Sequence, residues 1–272
     1  MGNRQKITAL VLTQNVEDLI GPCLESVRWA DEILVVDSFS TDRTAEIARR
    51  YGARVLEHPY QNYIAQNNWA IPQATHPWII SVDSDEQVTP ELRDETLRIL
   101  TEGPRFNSYI VRRDNYFMGH QLRYCLRGDH ECRLFLRDKA RFPDQEVHAN
   151  PEVEGPAGHL KGALLHFSFR SFEQYIPKFH AMSTRAARDR FRRVRRVGVF
   201  HLVLRPLGRF FKQYVLKMGF LDGRAGLVFC GLSAFSSFLK YAKLWEMQEC
   251  QEKTGTPSTS PNPPASSGER QR

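Results

Sequence analysis

Residues 32–57 read EILVVDSFSTDRTAEIARRYGARVLE. Ile33 to Val36 are apolar at consecutive positions, as a strand buried on both faces requires. Polar DSFSTD follows, then a stretch with helical spacing of its apolar residues and Gly52 as a C-terminal stop. A short apolar run, ARVLE, closes a βαβ unit.

The same alternation extends in both directions. Upstream, ITALVLT (7–13) leads to a helix-like LIGPCLESVRWA (19–30). Downstream, residues 64–74 carry a helical pattern, WIISVDSDE (78–86) is a strand ending in acids, and TPELRDETLRIL (89–100) is a helix with Pro90 in its first turn. The fold class expected is α/β with a mostly parallel central sheet. Ligands of such sheets bind beyond the carboxyl ends of the strands. Attention therefore falls on Thr13 to Asn15, Asp37 to Ser40, and Asp83 to Glu86.

No G-x-G-x-x-G or G-x-x-x-x-G-K-[ST] stands at those strand ends, which removes most of the support for a classical dinucleotide fold or a P-loop NTPase. Carboxylates stand there instead. Asp83 and Asp85, two apart, project to one side while the backbone stays extended. Two hard oxygen ligands with places left for phosphate suit Mg²⁺ or Mn²⁺ on a substrate diphosphate. The plainer alternative is a pair of acids in a turn. Asp37 could accept from a nucleobase or a ribose hydroxyl; alternatively, it or Ser40 caps the helix beginning near Thr41.

With 272 residues, 41% hydrophobic and 25% charged, the chain can build one substantial core. That excludes a mostly disordered chain, a disulfide-built mini-domain and a fibrous repeat. Five scattered cysteines without a C-x-x-C pair signal neither a disulfide framework nor a thiolate zinc site. With no secretory leader pattern either, a reducing, cytoplasmic location is expected. The net charge of +7 is local: twelve Lys or Arg stand against one acid, Asp189, between Lys178 and Lys217. Bulky apolar residues interleave with those cations. The uncharged stretch 225–239 would rise about 22 Å as helix, short of the roughly 30 Å hydrocarbon core. A monotopic contact with an anionic inner-membrane surface is expected, a buried helix hairpin being the alternative. No nucleic-acid-binding module accompanies the arginines.

Taken together, the motifs resemble the family-2 glycosyltransferases, and among them the WaaE-like subgroup of lipopolysaccharide core biosynthesis (beta-1,4-glucosyltransferase-like). The resemblance rests on LTQN (12–15), the 23–55 segment, AQNNWAI (65–71), WIISVDSDEQVTPEL (78–92), RRDNYFMG (112–119), RLFLRDKARF (133–142), VHANPEVEG (147–155) and LLHFSFRS (164–171). It covers roughly residues 6 to 245. It implies a GT-A-type nucleotide-diphospho-sugar transferase fold over residues 1–170, with a nucleotide half to about 105 and an acceptor half from 106. A basic, amphipathic helical extension (171–248) and a disordered tail (249–272) follow.

By the same resemblance, Thr13, Asn15 and Asp37 belong to the nucleotide pocket, and Gln66 and Asn67 pass near the nucleotide sugar. Asp83 and Asp85 hold the metal-bound diphosphate. The chain departs from the pattern at Gln14, Val16, Phe39 and Ala149, where Lys, Glu, Gly and an acid are usual. The implied reaction is inverting transfer of a hexose, glucose favoured, from UDP-glucose or another nucleotide-diphosphate sugar. The implied acceptor is a lipid-linked saccharide of the lipopolysaccharide inner core. Another glycolipid or exopolysaccharide acceptor, or a non-catalytic nucleotide-sugar-binding protein, is the alternative.

Inverting transfer needs a carboxylate that takes the acceptor hydroxyl's proton. Asp114, Asp129, Glu131, Asp144 and Glu146 are the candidates. Asp129, just ahead of the RLF run, is preferred, with Glu131 next. His148 reads as a hydrogen-bond donor to acceptor or diphosphate, and His166 as a partly buried residue or a diphosphate contact. Arg133 either faces the diphosphate or anchors the sheet.

Overall fold

The structure is a computed structural model and describes residues 4–143, 150–169, 172–191 and 194–254. The expected first half is present as β1 (Ile7–Thr13), α1 (Glu17–Ser26), β2 (Glu32–Asp37), α2 (Thr44–Arg50), β3 (Arg54–Glu57), α3 (Tyr63–Ala70), β4 (Trp78–Asp83), β5 (Glu86–Val88) and α4 (Pro90–Glu102). The strands β3, β2, β1 and β4 pair in that order and in parallel. Ile7, Ala9 and Val11 pack into one core and Leu10 into another, so the period-2 alternation fills both faces of the sheet. The last of these helices is bounded as its sequence dictates. Thr89 Oγ1 accepts from Leu92 N at 3.2 Å, Pro90 opens the helix, and Gly103 ends it at φ 99°.

The second half corrects the expectation of a mostly parallel sheet. It adds β6 (Ser108–Phe117), β7 (His120–Leu122), β8 (His130–Leu136), β9 (Ala140–Arg141), β10 (Glu152–Val153) and β11 (Ala157–Phe169). The main sheet continues from β4 through β8, β6 and β11 to β5. There β8 is antiparallel to both β4 and β6, β11 is parallel to β6, and β5 is antiparallel to β11. The sheet is mixed because β8 enters between two strands and runs antiparallel to both.

Beyond the sheet lie α5 (Phe172–Phe191), α6 (Arg205–Phe211) and α7 (Gly223–Thr254), with wide π-type turns at Phe200–Leu204 and Lys212–Leu216 flanking α6. Phe117, Leu122 and Cys125 from the sheet side pack with Tyr175, Phe179 and Cys230 from α5 and α7. Two features differ from the sequence expectation. The helix α7 has 32 residues, running past the short uncharged stretch. It also persists to Thr254, six residues into the segment expected to be a disordered tail; residues 255–272 lie outside those described. Among the described residues one helix, Gly219–Gln251, is long and apolar enough to cross a membrane by length and composition.

Candidate functional site

The carboxyl ends of β1, β2 and β4 meet where the chain reverses its strand order, and a cavity of about 310 Å³ opens there. Thr13, Ser38, Gln66, Asp83, Asp85 and His166 line it. Thr13 Oγ1 is buried without a hydrogen-bond partner among the described residues, which leaves a donor-acceptor unused beside the cavity. Gln66 is held by Ser38 Oγ (3.2 Å) and His58 Nδ1 (3.0 Å).

Three residues expected at the nucleotide do not line this cavity. Asp37 is 1% exposed, and its Oδ1 accepts from Ser40 Oγ at 2.5 Å while Oδ2 accepts from Ser40 N at 2.8 Å. Its carboxylate therefore shapes the DSFS turn. Asn15 Oδ1 accepts from Thr41 N at 2.8 Å and ties the β1 loop to that same turn. Asn67 is fully buried, and its Nδ2 donates to Tyr63 O. In the same turn Phe39 keeps the left-handed conformation (φ 56°) that glycine favours. Holding a side chain there costs roughly 1–2 kcal/mol.

A second cavity, about 350 Å³, shares Tyr63, Asp83 and His166 with the first and adds Arg113, Glu131, Arg133 and Asn150. Of the two preferred base candidates, Glu131 lines this cavity and Asp129 does not. Asp129 lines a separate one among four arginines. Asp144, Glu146 and His148 lie outside the described residues.

An ion-pair cluster sits behind the shared wall. Arg133, 2% exposed, reaches Asp83 Oδ2 (2.7 Å), Glu86 Oε1 (3.0 Å) and Glu131 Oε2 (2.7 Å). Arg113 reaches Asp129 (2.9 Å), Glu131 (3.0 Å) and Glu86 (3.5 Å). Four carboxylates thus surround two guanidiniums. Glu86, Arg113, Asn115 and Tyr63 carry this arrangement, and no spacing rule singled them out. Only the run of acids in VDSDE hinted at Glu86.

Burial works against charge on Asp83, but Arg133 outweighs it and holds that carboxyl below its ordinary range. Burial, opposed by Arg133 and reinforced by Asp83, pushes the Glu86 carboxyl up to about 7. His166 is raised: burial opposes its charge, but Asp85 prevails, with Nε2 at 3.7 Å from Asp85 Oδ2. The Glu86 shift has a consequence for stability. From its ordinary 4.5 up to about 7 the folded chain binds more protons than the unfolded one, so stability falls as pH rises through that window. Asp83 acts in the opposite sense, only below its ordinary 3.8. Glu86→Gln, neutral at every pH, is expected to flatten the fall, read from denaturation midpoints between pH 4.5 and 7.

The donor set fits a divalent cation that the substrate helps to hold. Oδ1 of Asp83 and of Asp85 makes no hydrogen bond among the described residues. No three metal-binding side chains cluster among those residues. Two free carboxylate oxygens beside a diphosphate are the usual protein share for Mg²⁺.

The sequence profile of glycosyl transferase family 2 matches residues 8–152. The chain belongs to that family and is an enzyme that transfers sugar, with the GT-A fold of that family. It is 30% identical over 256 residues to the lipopolysaccharide core biosynthesis glycosyltransferase LpsC of Rhizobium meliloti, covering 88% of this chain and 92% of the relative. It is 29% identical to an uncharacterised glycosyltransferase of Rickettsia typhi, covering 89% of this chain and 88% of that one. Among solved structures, S. aureus TarS with UDP-GlcNAc superposes with a TM-score of 0.47 at 15% identity, covering 92% of each chain. The Mycobacterium tuberculosis glucosyl-3-phosphoglycerate synthase with Mn²⁺, UDP-glucose and phosphoglyceric acid superposes with a TM-score of 0.38 at 19% identity, covering 49% of this chain and 57% of that one.

Proposed function

We propose that this enzyme is an inverting transferase that moves a hexose, glucose favoured, from a nucleotide-diphosphate sugar to a lipopolysaccharide inner-core acceptor. It acts at the cytoplasmic face of the inner membrane and uses Mg²⁺ or Mn²⁺. The observation that carries this reading is the pair of cavities meeting at Asp83 and His166. One opens at the strand ends that suit a nucleotide sugar, and the other presents a carboxylate to an acceptor. The name of LpsC supports the core acceptor. The WaaE-like subgroup rests on the resemblance of the sequence motifs, and UDP-glucose rests on that subgroup alone.

The chemistry assigns roles as follows. Thr13, Ser38 and Gln66 position the nucleotide sugar. Asp83 and Asp85 hold the cation, which when bound supplies positive charge to the diphosphate. Glu131 takes the proton of the acceptor hydroxyl, whose oxygen attacks the anomeric carbon as the bond to diphosphate breaks on the opposite side. A carboxylate has about four lone-pair positions, so contacts with Arg113 and Arg133 leave Glu131 room for that hydroxyl. His166, held by Asn115 Oδ1 at 2.7 Å and facing Asp85, borders the diphosphate. A panel of nucleotide sugars read by released nucleotide, then mass spectrometry of a truncated-core acceptor, tests the reading. Release from no nucleotide sugar would refute it.

The C-terminal helices support membrane attachment. Val199 is 75% exposed and Leu216 67%, with Phe200, Leu204, Leu207 and Phe211 all more than half exposed between them. Single cations interleave: Arg205, Arg209 and Lys212. Exposed apolar side chains supply insertion, and each cation near an anionic surface contributes about 1 kcal/mol. Neutralising Arg192, Arg193, Arg195 and Arg196 together is expected to move protein from the membrane to the soluble fraction. It should lower activity on a lipid-linked acceptor far more than on a soluble mimic. Salt should weaken vesicle binding. Unchanged affinity for anionic vesicles at low salt would reduce the basic run to a solvated face.

A further inference from the structure

A third cavity, about 280 Å³, lies beside β6 and β7 and takes no part in the reaction described above. Arg112, Arg113, Arg123 and Arg127 line it together with Asp114 and Asp129. Arg112 pairs with Asp114 at 2.9 Å, and Arg113 with Asp129 at 2.9 Å. The other two guanidiniums have no carboxylate partner among the described residues. Arg123 Nε donates to Gln121 Oε1 at 3.0 Å, and the Arg127 guanidinium makes no hydrogen bond or ion pair among the described residues. The cavity therefore carries two uncompensated guanidiniums, the group best matched to a phosphate by its planar fork of donors.

Its surroundings identify the kind of molecule that brings the phosphate. The backbone N–H groups of Arg123, Tyr124 and Cys125 all donate to the Asp222 carboxylate, at 2.9 to 3.2 Å. Lys217 Nζ donates to Arg127 O at 3.4 Å. The arginine loop is thereby stitched to the turn that precedes α7. That turn exposes Leu216, Phe220 (47%) and Leu221 (52%). Cations beside exposed apolar side chains match the boundary between a lipid headgroup and its chains. A soluble anion would use the cations and leave the apolar rim unexplained.

We propose that this cavity binds the terminal phosphate monoester of a membrane lipid. Arg113 lines both this cavity and the acceptor cavity, so a phosphate held here is linked to the catalytic carboxylate through one side chain. Resting on the transferase reading, that lipid is the anionic lipid part of the acceptor.

The test uses the full chain and vesicles of phosphatidylcholine doped with phosphatidic acid, or with phosphatidylglycerol at matched surface charge. Wild type is expected to prefer phosphatidic acid. Arg123→Gln with Arg127→Gln should weaken binding to those vesicles about 30-fold, roughly fivefold for each cation. Arg28→Gln with Arg98→Gln, which removes equal charge from outside the cavity, should change it less than about threefold. The double Arg→Lys variant at 123 and 127, which retains charge and loses the fork, should lose the preference yet still bind phosphatidylglycerol vesicles. Circular dichroism checks each fold.

Equal weakening by both Gln pairs, or no wild-type preference for phosphatidic acid, would overturn the proposal in favour of diffuse attraction. Inorganic phosphate binding as tightly as the vesicles would overturn it in favour of a soluble anion. Donor hydrolysis by wild type without vesicles separates the two readings. Hydrolysis without lipid preference defeats only the lipid site, and lipid preference without hydrolysis on any donor defeats only the proposed transfer.

Discussion

Asp83→Asn and Asp85→Ala are each expected to lower donor turnover by at least about 10²-fold, because the leaving diphosphate loses its counter-charge. The two variants perturb the protein differently, which makes them a useful pair. Asp83 Oδ2 also accepts from Arg133, and removing one partner of a buried ion pair can cost several kcal/mol. Here Arg133 retains Glu86 and Glu131, so the fold should survive. Asp85 touches no arginine among the described residues; its neighbour there is His166 at 3.7 Å. A loss in Asp85→Ala therefore reports the diphosphate and cation directly. Donor hydrolysis across Mg²⁺ and Mn²⁺ concentrations, with circular dichroism on the same samples, measures both effects. Wild-type turnover in a folded double variant would end the assignment.

Glu131→Gln should keep donor and metal binding while losing transfer by roughly 10²- to 10⁴-fold, the range for removing a general base. Asp129→Asn should lose less than about tenfold, since its carboxylate lines the arginine cavity and accepts from Arg113 and from Asn115 Nδ2 at 2.8 Å. Single-turnover transfer with saturating donor distinguishes the two acids. Because Glu131 also braces Arg133, the pH profile is the decisive readout. Loss of the acidic limb of the wild-type rate marks a base, and a uniform drop marks a brace. Strong loss in Asp129→Asn with near-normal Glu131→Gln would restore the order favoured by the sequence.

The placement of these two acids in different cavities shows where sequence reading stops. The strands β1 to β4, the helices between them and the acids at their ends were legible, because periodicity and caps act within a few residues. Thr13 and Asp83 needed only the rule that ligands gather at carboxyl ends. Asp37 stands at its strand end as the pattern indicates, but its carboxylate accepts from Ser40, three residues on, and neither residue caps a helix, because α2 begins at Thr44 behind Arg43 with no side-chain cap.

Asp129 and Glu131 stand two apart in one short segment, and nothing local says which cavity either carboxylate lines. The pairing of β8 with β4 at Ile80 and Leu134, and with β6 at Val111 and Glu131, settles it. Those contacts join residues far apart in the chain. The same pairing buries Arg133 against Glu86 and carries Arg113 to the wall between two cavities. Local patterning, therefore, specifies the elements and the chemistry at their tips. Long-range strand pairing, whose register is set by packing across the whole sheet, distributes those side chains among the cavities.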